Sequence, residues 1–511
     1  MKKRIRQQLR FFQSQIEGRL ESENEKPEDD GCPVLRGTGA MYEVASRVRA
    51  VAAGGIGLMH RMCQAIRLEK EIDDKVELLK YHRPYHESDH VLNIAFNFLA
   101  GGDCLDHLEL LRNDTNYMDM LGARRIPDPT TAGDFCRRFK SSRHLDSLQN
   151  AINEARLRVW KSQPPEFFEH AQIDADGSFV STSGDCKEGA DFSYKKGFGY
   201  HPLLVSLSNT QEILFLENRP GSRPSHEGAA ARLDEAVDLV RRAGFRKVTL
   251  RGDTDFSQTK YLDAWDEDGV DFVFGYDSSK NLVEEADLVP EAAWRKLDRD
   301  SREILTQPRT RPEDVRDRIV KERGYLKISL VEEHFTEIRY RPRACRQEYR
   351  IVILRKRLNH ERGQQILFPE TRYFFYITNL RRVGAREIIR HANKRCDQER
   401  LIGMQKSEVG SLRCPLDNLY SNWSYMVMTT LSWNLTRWFA LLLPEKGRWK
   451  EKHVAEKHTV LRMSFNTFVR AFMLLPAQVI SAGRRLKLRL LSWNPWQHIF
   501  FRALDAVRLI S

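Results

Sequence analysis

Three short segments of the chain decide the fold class: "AQIDADGSFVSTSG" (Ala171–Gly184), "YHPLLVSLSN" (Tyr200–Asn209) and "QEILFLENRP" (Gln211–Pro220). Each contains aliphatic or aromatic residues at strand-like spacing and is followed by Gly, Pro, Asn or Ser. This pattern is typical of strands that are joined as hairpins. We therefore predict three consecutive antiparallel strands in this part of the chain.

Helices and strands alternate after these three strands. His226–Gly244 and Ser257–Gly269 have the apolar period of amphipathic helices, whereas Lys247–Asp253 and Val270–Asp277 are apolar runs of strand length. The order is three strands, helix, strand, helix, strand. A ribonuclease H-like α/β domain, with a mixed sheet flanked by helices, has this order. The pattern predicts that fold class.

The flanking segments predict three further regions. Helical periodicity precedes the first strand, and the segment from Ser278 to about Glu370 is charged and rich in strands. A strand, "RYFFYITNL" (Arg372–Leu380), and a single helix over Gly384–Lys406 follow. We predict a helical N-terminal region (1–165), a catalytic core in two parts (166–277 and 371–443), a β-rich insertion before the last catalytic helix (278–370) and a basic C-terminal region (444–511).

The positive charge of the chain is concentrated near its C-terminus. Of the net charge of +12, the segment Leu401–Ser511 carries +10, from 16 Lys and Arg against 6 Asp and Glu. A basic region that contains aromatic residues suits a polyanion such as DNA, although solubility explains the charge equally well. The alternation "RLKLRLL" (Arg485–Leu491) also has two explanations. It predicts either a basic strand that contacts DNA or a strand with one face in the core and the other in solvent.

Several classes of protein are not indicated. The eight cysteines include no Cys-x2-Cys pair, which argues against a zinc ribbon and a secreted disulfide scaffold. The N-terminal "MKKRIRQQLRFF" lacks the apolar core of a signal peptide, so we expect a cytoplasmic protein. Tyr420–Leu443 is long enough to span a bilayer but carries Arg437 and two Asn residues. We predict that it is a buried helix and that the protein does not use a membrane.

Acidic residues stand at the ends of two of the predicted strands. Asp174 and Asp176 share one face of the first strand because side chains alternate along it. Asp253 ends the fourth strand, where ligand-binding groups of α/β sheets gather. Taken alone, Asp174 and Asp176 are explained equally well as solvated residues at a strand end, and Asp253 as part of a capping turn.

A third acid, Glu399, lies on the helix after the fifth strand. It shares a helical stripe with Arg395 and Ala392, and this stripe continues upstream through the apolar Ile388. We therefore expect Glu399 to lie on the inward side of the helix. The ordinary alternative is a surface pair between Arg395 and Glu399, which contributes about 0.3 kcal/mol.

The joint arrangement of the three acids is more specific than any one of them. In a ribonuclease H-like fold, the first strand, the end of the fourth strand and the helix after the fifth converge. Neighbouring carboxylates repel one another, so they need a cation, and ligands that are all oxygens suit Mg²⁺ or Mn²⁺. Two such ions about 4 Å apart are able to activate an attacking hydroxyl and stabilise a leaving oxygen.

The segment "NKRCDQERLIGMQK" (Asn393–Lys406) carries a known signature. Arg395, Glu399 and Lys406 match the Tyr-x2-Arg-x3-Glu-x6-Lys pattern of the DDE transposases of bacterial insertion sequences, and Ala392 stands where Tyr is expected. "GYHPLL", "LRGDTDFS" and "YFFYITNL" are similar to blocks of the group 1 DDE domain family. The chain resembles this family from about Gly54 to the C-terminal region.

This resemblance implies a function and its residues. Asp176, Asp253 and Glu399 would be the catalytic, metal-binding acids, with Asp174 as the alternative to Asp176. The interval of 146 residues between Asp253 and Glu399 exceeds the 77 between Asp176 and Asp253 because the β-rich insertion lies inside it. The enzyme would bind terminal inverted repeats, cleave DNA strands with two Mg²⁺ ions, which Mn²⁺ could replace, and join them to target DNA.

The resemblance also implies contacts and partners. The candidate DNA-binding residues are Arg395, Lys406, Arg484, Arg485, Lys487 and Arg489. The helical N-terminal region and the basic C-terminal region would grip double-stranded DNA, mostly through phosphates, and the pairing of two ends implies a homodimer or a larger assembly. Two alternatives remain at this stage. One is a domesticated, non-catalytic DNA-binding protein, and the other is a metal-dependent glycosyltransferase that uses Asp174 and Asp176.

Overall fold

The structure is a computed structural model that forms two compact units. It describes residues 2–24, 41–42, 48–193, 197–297, 326–362, 365–394, 396–483, 485–491 and 493–510. The first unit comprises Met1–Pro164, Thr182–Ala190 and Gly403–Ser511, and the second comprises Pro165–Ser181 and Asp191–Ile402. The first unit therefore combines the N-terminal and C-terminal parts of the chain with one short segment from its middle, and the second unit contains the rest.

The elements are numbered here in chain order. The strands are β1 (Ala50–Val51), β2 (His170–Gly177), β3 (Val180–Ser181), β4 (Asp191–Phe192), β5 (Phe198–Tyr200), β6 (Leu203–Leu207), β7 (Glu212–Glu217), β8 (Lys247–Gly252), β9 (Asp271–Tyr276), β10 (Arg295–Lys296), β11 (Leu326–Tyr340), β12 (Tyr349–Arg362), β13 (Gln365–Thr378), β14 (Ala477–Ala482) and β15 (Arg485–Leu490). The helices are α1 (Lys2–Asn24), α2 (Ile56–Ala65), α3 (Leu68–Lys75), α4 (Glu87–Leu99), α5 (Leu108–Arg112), α6 (Thr115–Leu121), α7 (Pro129–Cys136), α8 (Ser142–Lys161), α9 (Ala229–Ala243), α10 (Thr259–Glu267), α11 (Lys280–Leu288), α12 (Ala385–Asn393), α13 (Cys396–Met404), α14 (Leu419–Leu441), α15 (Lys450–Leu461), α16 (Phe465–Phe468) and α17 (Gln497–Ile510).

The second unit is built on a nine-stranded mixed sheet in the order β10-β11-β12-β13-β9-β8-β2-β6-β7. Strand β2 pairs antiparallel with β6, and β6 pairs antiparallel with β7. On its other side β2 pairs parallel with β8, and β8 pairs parallel with β9. Helix α9 connects β7 to β8, and α10 connects β8 to β9. This is the ribonuclease H-like topology, so the predicted fold class is confirmed.

Helix α9 shows why the sequence forms these connections. Its buried side chains include Leu233, Val237 and Val240, which recur at helical spacing and lie on the side that contacts β2 and β6. The helix ends at Gly244, whose φ of 101° lies in the left-handed region that favours glycine. The apolar stripe and the terminal glycine were both readable in the sequence.

The β-rich insertion extends the same sheet. Strand β13 runs unbroken from Gln365 to Thr378 and pairs with β9 through its last four residues, Phe375 to Thr378. Strands β11 and β12 add to the far side of β13. A boundary at residue 370 therefore falls inside one strand, because the hydrogen-bonded ladder continues through it.

A single hydrophobic core joins the insertion to the rest of the second unit. Val273 of β9, Phe335 of β11 and Val352 of β12 are buried together with Ile388 and Ile389 of α12. Burying an aliphatic or aromatic side chain of this size contributes about 1.5–3 kcal/mol. The helix that precedes the signature segment is therefore seated on both the central strands and the inserted strands.

The first unit surrounds the long helix α14. Residues Ser421 to Leu441 of this helix are buried, and it packs against α4 and α8. The predicted buried helix is therefore confirmed, and its partners are the N-terminal helices rather than the sheet. All of α14 belongs to the first unit, because the division between the two units falls after Ile402. The expected boundary at residue 443 therefore lies inside the first unit. No helix in the described ranges is long and apolar enough to cross a bilayer.

Several buried polar side chains of α14 are hydrogen-bonded within the protein. The hydroxyls of Ser424, Ser432 and Thr436 donate to backbone carbonyls three residues earlier in the helix. Arg437 donates to the carbonyls of Leu461 and Met463, and its guanidinium lies 4.0 Å from the centre of the Trp433 ring. Buried polar groups are tolerated when they are hydrogen-bonded in this way. The residues that argued against a membrane span are therefore core residues.

Candidate active site

The parallel pairing of β2 with β8 aligns two of the predicted acids. Asp174 is the register partner of Arg251 in this ladder. Asp176 follows Asp174 by two residues near the end of β2, and Asp253 follows Arg251 by two residues just beyond the end of β8. Neighbouring strands are about 4.8 Å apart, so the backbone holds these two residues side by side at the C-terminal edge of the sheet.

Asp253 also shapes the turn on which it lies. Its Oδ1 accepts a hydrogen bond of 3.0 Å from the backbone N–H of Asp255 and caps the short 3-10 turn Thr254–Phe256. Gly275 of β9 packs closely against this turn, since a Cβ at Gly275 would lie only 2.8 Å from the backbone nitrogen of Thr254. The absence of a side chain at Gly275 therefore fixes how closely β9 approaches Asp253.

Helix α13 is anchored at the level of Asp176. Gln398 is buried, and its Nε2 donates to the carbonyl of Leu204 over 3.3 Å, while its Oε1 accepts from the Ser206 hydroxyl. Leu204 is the register partner of Asp176 in the pairing of β2 with β6. Glu399 is the next residue of the helix. The hydrogen bonds of Gln398 therefore bring the segment that bears Glu399 to the end of β2 that carries Asp176.

The environment of Glu399 differs from the expectation. The sequence predicted one helix over residues 384–406 with Glu399 on its inward stripe, but the structure has two helices, α12 and α13. In α13 the side chains of Gln398, Leu401, Ile402 and Met404 are buried, whereas Glu399 is exposed. The inward orientation predicted for Glu399 was therefore wrong. Asp397 and Glu399 flank the buried Gln398 on its two sides.

Asp174, the alternative first acid, belongs to a buried ion pair. Its two carboxylate oxygens accept from Nε and Nη2 of Arg251 at 2.7 and 2.8 Å. Burial raises the pKa of Asp174, and the adjacent Arg251 acts in the opposite direction. Arg251 also donates to the Ser208 hydroxyl and to the carbonyl of His391 in α12. Because Arg251 occupies both oxygens of Asp174, the geometry favours Asp176 as a metal ligand.

Arg251 and Gln398 were not singled out in the sequence. An arginine within the otherwise apolar strand "KVTLRGD" is a signal for a buried charge that needs a partner. Gln398 had no comparable signal, because a glutamine between charged residues on a helix is ordinary. Its burial follows from long-range packing against β6, which periodicity does not encode.

The three acids suit a hard divalent cation by their chemistry and backbone positions. Asp176, Asp253 and Glu399 offer only carboxylate oxygens, the ligand type that Mg²⁺ and Mn²⁺ prefer. In the described part of the chain, they do not form a group whose ligand atoms all lie within 4.8 Å of one another.

A group that meets this distance criterion lies in the first unit, at Asp103, Cys104 and His107. Local contacts account for it. The backbone N–H of Asp103 donates to Nδ1 of His107 over 3.2 Å, and a guanidinium nitrogen of Arg413 lies 3.9 Å from the Asp103 carboxylate. A cation already stands beside this carboxylate, so we assign no metal to the group.

The predicted DNA-contacting residues lie mainly on β15. Arg485, Lys487 and Arg489 alternate along this strand and are exposed, and Arg489 donates to the side chain of Gln478 over 3.2 Å. Strand β15 lies at the edge of the sheet β1-β14-β15. Its charged side chains therefore form a basic stripe on one face of an edge strand.

The other predicted contacts have different places. Lys406 is exposed and lies in the π-helical turn Gln405–Val409, which continues α13. Arg395 and Arg484 lie outside the residues that the structure describes.

The fold and the aligned acids define the class of the protein as ribonuclease H-like, with an acidic edge on the central strands of the sheet. Residues 48–511 match the family model described as "Transposase DDE domain group 1". The chain belongs to this family of DDE transposases, and the predicted resemblance is confirmed.

Among solved structures, the chain is similar to the piggyBac transposase in a cryo-EM synaptic complex with hairpin DNA. The sequence identity is 10%, the TM-score is 0.36, and the match covers 82% of this chain and 81% of that chain. No curated protein sequence matches the chain.

Proposed function

We propose that this transposase catalyses cut-and-paste DNA transposition with Asp176, Asp253 and Glu399 as its metal-binding acids. The observation that carries the proposal is the alignment at the edge of the sheet. Asp176 and Asp253 each follow, by two residues, a register pair of the adjacent parallel strands β2 and β8. Gln398 fixes the helix that bears Glu399 beside the register partner of Asp176. This arrangement supports two Mg²⁺ ions, or Mn²⁺ in their place, held by carboxylates from three separate elements.

The residues of the chain would divide the work of catalysis. The bound ions would lower the pKa of an attacking hydroxyl and stabilise the leaving oxygen of a phosphodiester. The three carboxylates would hold these ions, and the turn at Thr254–Phe256 would orient Asp253. Arg251 neutralises the buried Asp174, so that this carboxylate adds little repulsion to the acidic edge.

DNA would be bound mostly through its phosphates. The basic stripe of β15, together with Lys406, Arg395 and Arg484, would contact the backbone of double-stranded DNA at the terminal inverted repeats. Bringing two ends together would require two copies of the chain, so we propose a homodimer or a larger assembly on DNA. The protein would act in the cytoplasm, associated with the nucleoid.

The function is tested with the full-length protein and DNA that flanks its gene. A duplex containing the inverted repeat next to the reading frame is incubated with Mg²⁺, with Mn²⁺ or with a chelator. We expect cleavage at the edge of the repeat only with a divalent metal, followed by joining of the 3′-hydroxyl to a second duplex. Tight binding of the repeat without cleavage in either metal would instead identify a non-catalytic DNA-binding protein.

The stripe on β15 makes a separate prediction about salt. Replacing Arg485, Lys487 and Arg489 together with Ala should weaken end binding and reduce the slope of log affinity against log salt by about 2–3, since each lost phosphate contact contributes about 0.9. The affinity is measured by fluorescence anisotropy over a range of salt concentrations.

A matched triple variant serves as the control. Lys446, Lys450 and Lys452 are exposed lysines of the same basic C-terminal region that lie outside β15. Replacing them with Ala removes the same charge and should leave the salt slope nearly unchanged. Equal losses of slope in the two triple variants would show that β15 makes no particular phosphate contacts.

A further inference from the structure

Three groups lie close to the residue that follows Asp176. A Cβ at Gly177 would lie 3.2 Å from Nη2 of Arg219, from Nε2 of His201 and from Cα of Ser225. Such distances are shorter than ordinary van der Waals contact, so a side chain at this position would displace its neighbours. The end of β2 is therefore packed directly against Arg219 and His201.

Arg219 is buried, with 4% of its surface exposed, and its Nε and Nη1 donate to backbone oxygens. Its Nε donates to the carbonyl of His201 over 3.0 Å, and its Nη1 donates to the carbonyls of Ser225 and Glu227. Its Nη2, the atom that faces Gly177, has no hydrogen-bond partner among the described residues. Burial lowers the pKa of Arg219 to about 10, which leaves it charged at neutral pH.

The contacts of Arg219 join the segment before β6 to the connection between β7 and α9. The backbone N–H of His201 donates to the carbonyl of Arg219 over 2.8 Å, so the two residues are bonded in both directions. His201 also contacts the carbonyl of Arg223 through Nδ1 at 2.8 Å. The start of β6 and the connection from β7 to α9 are thereby held together at the end of β2.

A buried cation without a paired carboxylate is costly, and packing alone does not need one. The buried Arg232 of α9 has such partners, since it pairs with Glu217 at 2.8 Å and with Glu235 at 2.7 Å. Within the described part of the chain, Arg219 instead presents an unpaired Nη2 to the strand end where Asp176 and Asp253 collect negative charge. Glu217 and Glu227 act on the charge of Arg219, but neither carboxylate pairs with its Nη2, which faces the residue next to Asp176.

We propose that Arg219 is a positioning residue for Asp176. By holding the backbone at His201, Ser225 and Glu227 against Gly177, it fixes the end of β2 and keeps Asp176 level with Asp253. This inference rests on the proposed function, because the positioning matters only if Asp176 serves the cleavage reaction. Arg219 acts through the strand end and need not touch DNA.

The test compares Arg219→Met and Arg219→Lys with the wild type. Single-turnover cleavage of end DNA is measured at saturating metal and protein, together with the affinity for the same DNA and the melting temperature. Both variants should cleave at least about tenfold more slowly, because a displacement of about 1 Å at a reacting group costs up to about 100-fold. Lysine should not restore the rate, since it lacks the planar fork that reaches several carbonyls. DNA affinity should change less than about twofold.

Arg232→Met is the matched control. It removes a buried arginine from the same unit and should lower the melting temperature, but the cleavage rate of the folded protein should stay within about twofold of the wild type. Gly177→Ala tests the same positioning role in a second way. It keeps Arg219, but the added methyl group pushes the end of β2 away from the guanidinium. We expect this variant to be slowed as well.

The outcomes separate this inference from the proposed function. Wild-type cleavage rates in Arg219→Met would overturn the positioning role while leaving the transposase function in place. An equal loss of rate in Arg232→Met at a similar melting temperature would overturn it too, because the effect would then be general destabilisation. A wild-type protein that cleaves no end DNA would overturn the proposed function and this inference with it.

Discussion

Asp253→Asn is expected to lower the rate of strand cleavage by at least about 1,000-fold, because in the proposed function this carboxylate holds the metal, and its loss removes several kcal/mol of transition-state stabilisation. The amide keeps the size of the side chain and its ability to accept from the backbone of Asp255, so the turn should persist. Glu399→Gln is expected to behave in the same way. The measurement is single-turnover cleavage of end DNA, with end binding followed in parallel and expected to remain.

Each of these variants has a neighbouring acid as its control. Asp255 is an exposed acid in the turn that Asp253 caps, and Asp397 is an exposed acid on the other side of Gln398 from Glu399. Asp255→Asn and Asp397→Asn should cleave at nearly the wild-type rate. Cleavage by Glu399→Gln together with loss of cleavage in Asp397→Asn would move the role of third acid to Asp397.

Arg251→Met is expected to destabilise the second unit by about 3–5 kcal/mol, because it leaves Asp174 buried without its partner. Asp174 and Arg251 are each about 1% exposed, so water cannot replace the lost contacts. The measurement is urea unfolding followed by tryptophan fluorescence. Replacing both partners, as Asp174→Leu with Arg251→Met, should recover most of the loss, since an apolar pair leaves no buried charge.

The loss in Arg251→Met should also depend on pH. Burial already raises the pKa of Asp174, and removing Arg251 takes away an interaction that lowers it. A carboxyl with a raised pKa in the folded state favours folding below its unfolded pKa, and this contribution is lost as the pH rises through the folded value. The destabilisation should therefore be smaller at acidic than at neutral pH.

An exposed ion pair provides the comparison for Arg251. Arg246 pairs with Glu169 at 2.7 Å, and both side chains are more than half exposed. Arg246→Met should change the free energy of unfolding by less than about 1 kcal/mol. If Arg251→Met had an equally small effect, the ion pair at Asp174 would be open to water in solution.

The catalytic fold was predictable because its signal is local. The three strands after residue 170, helix α9 with its terminal Gly244 and the following strands each show their own period, and their order was enough to predict the topology. The alignment of Asp176 with Asp253 then followed from the pairing of parallel strands. These features depend on residues that are close in sequence or on a known connection between elements.

Features that depend on distant packing were not predictable. The sequence does not indicate that α12 and α13 are separate helices, and the burial of Gln398 depends on its contacts with β6, far away in the chain. The pairing of Asp174 with Arg251 likewise needed the register of β2 and β8. The packing of α14 against α4 and α8 depends on which apolar helix surfaces meet in the folded protein. The composition of the helices does not specify these partners.

The continuity of β13 with the central sheet has a consequence for how the protein is made. The outer edge of β9 is satisfied only when Phe375 to Thr378 of β13 pair with Val273 to Tyr276 of β9. On the ribosome, β9 emerges well before β13, so the nascent chain presents an open apolar strand edge during this interval. Open edges recruit other strands and lead to aggregation. The speed of translation through the insertion, and chaperones that shield this edge, should therefore set the yield of folded transposase.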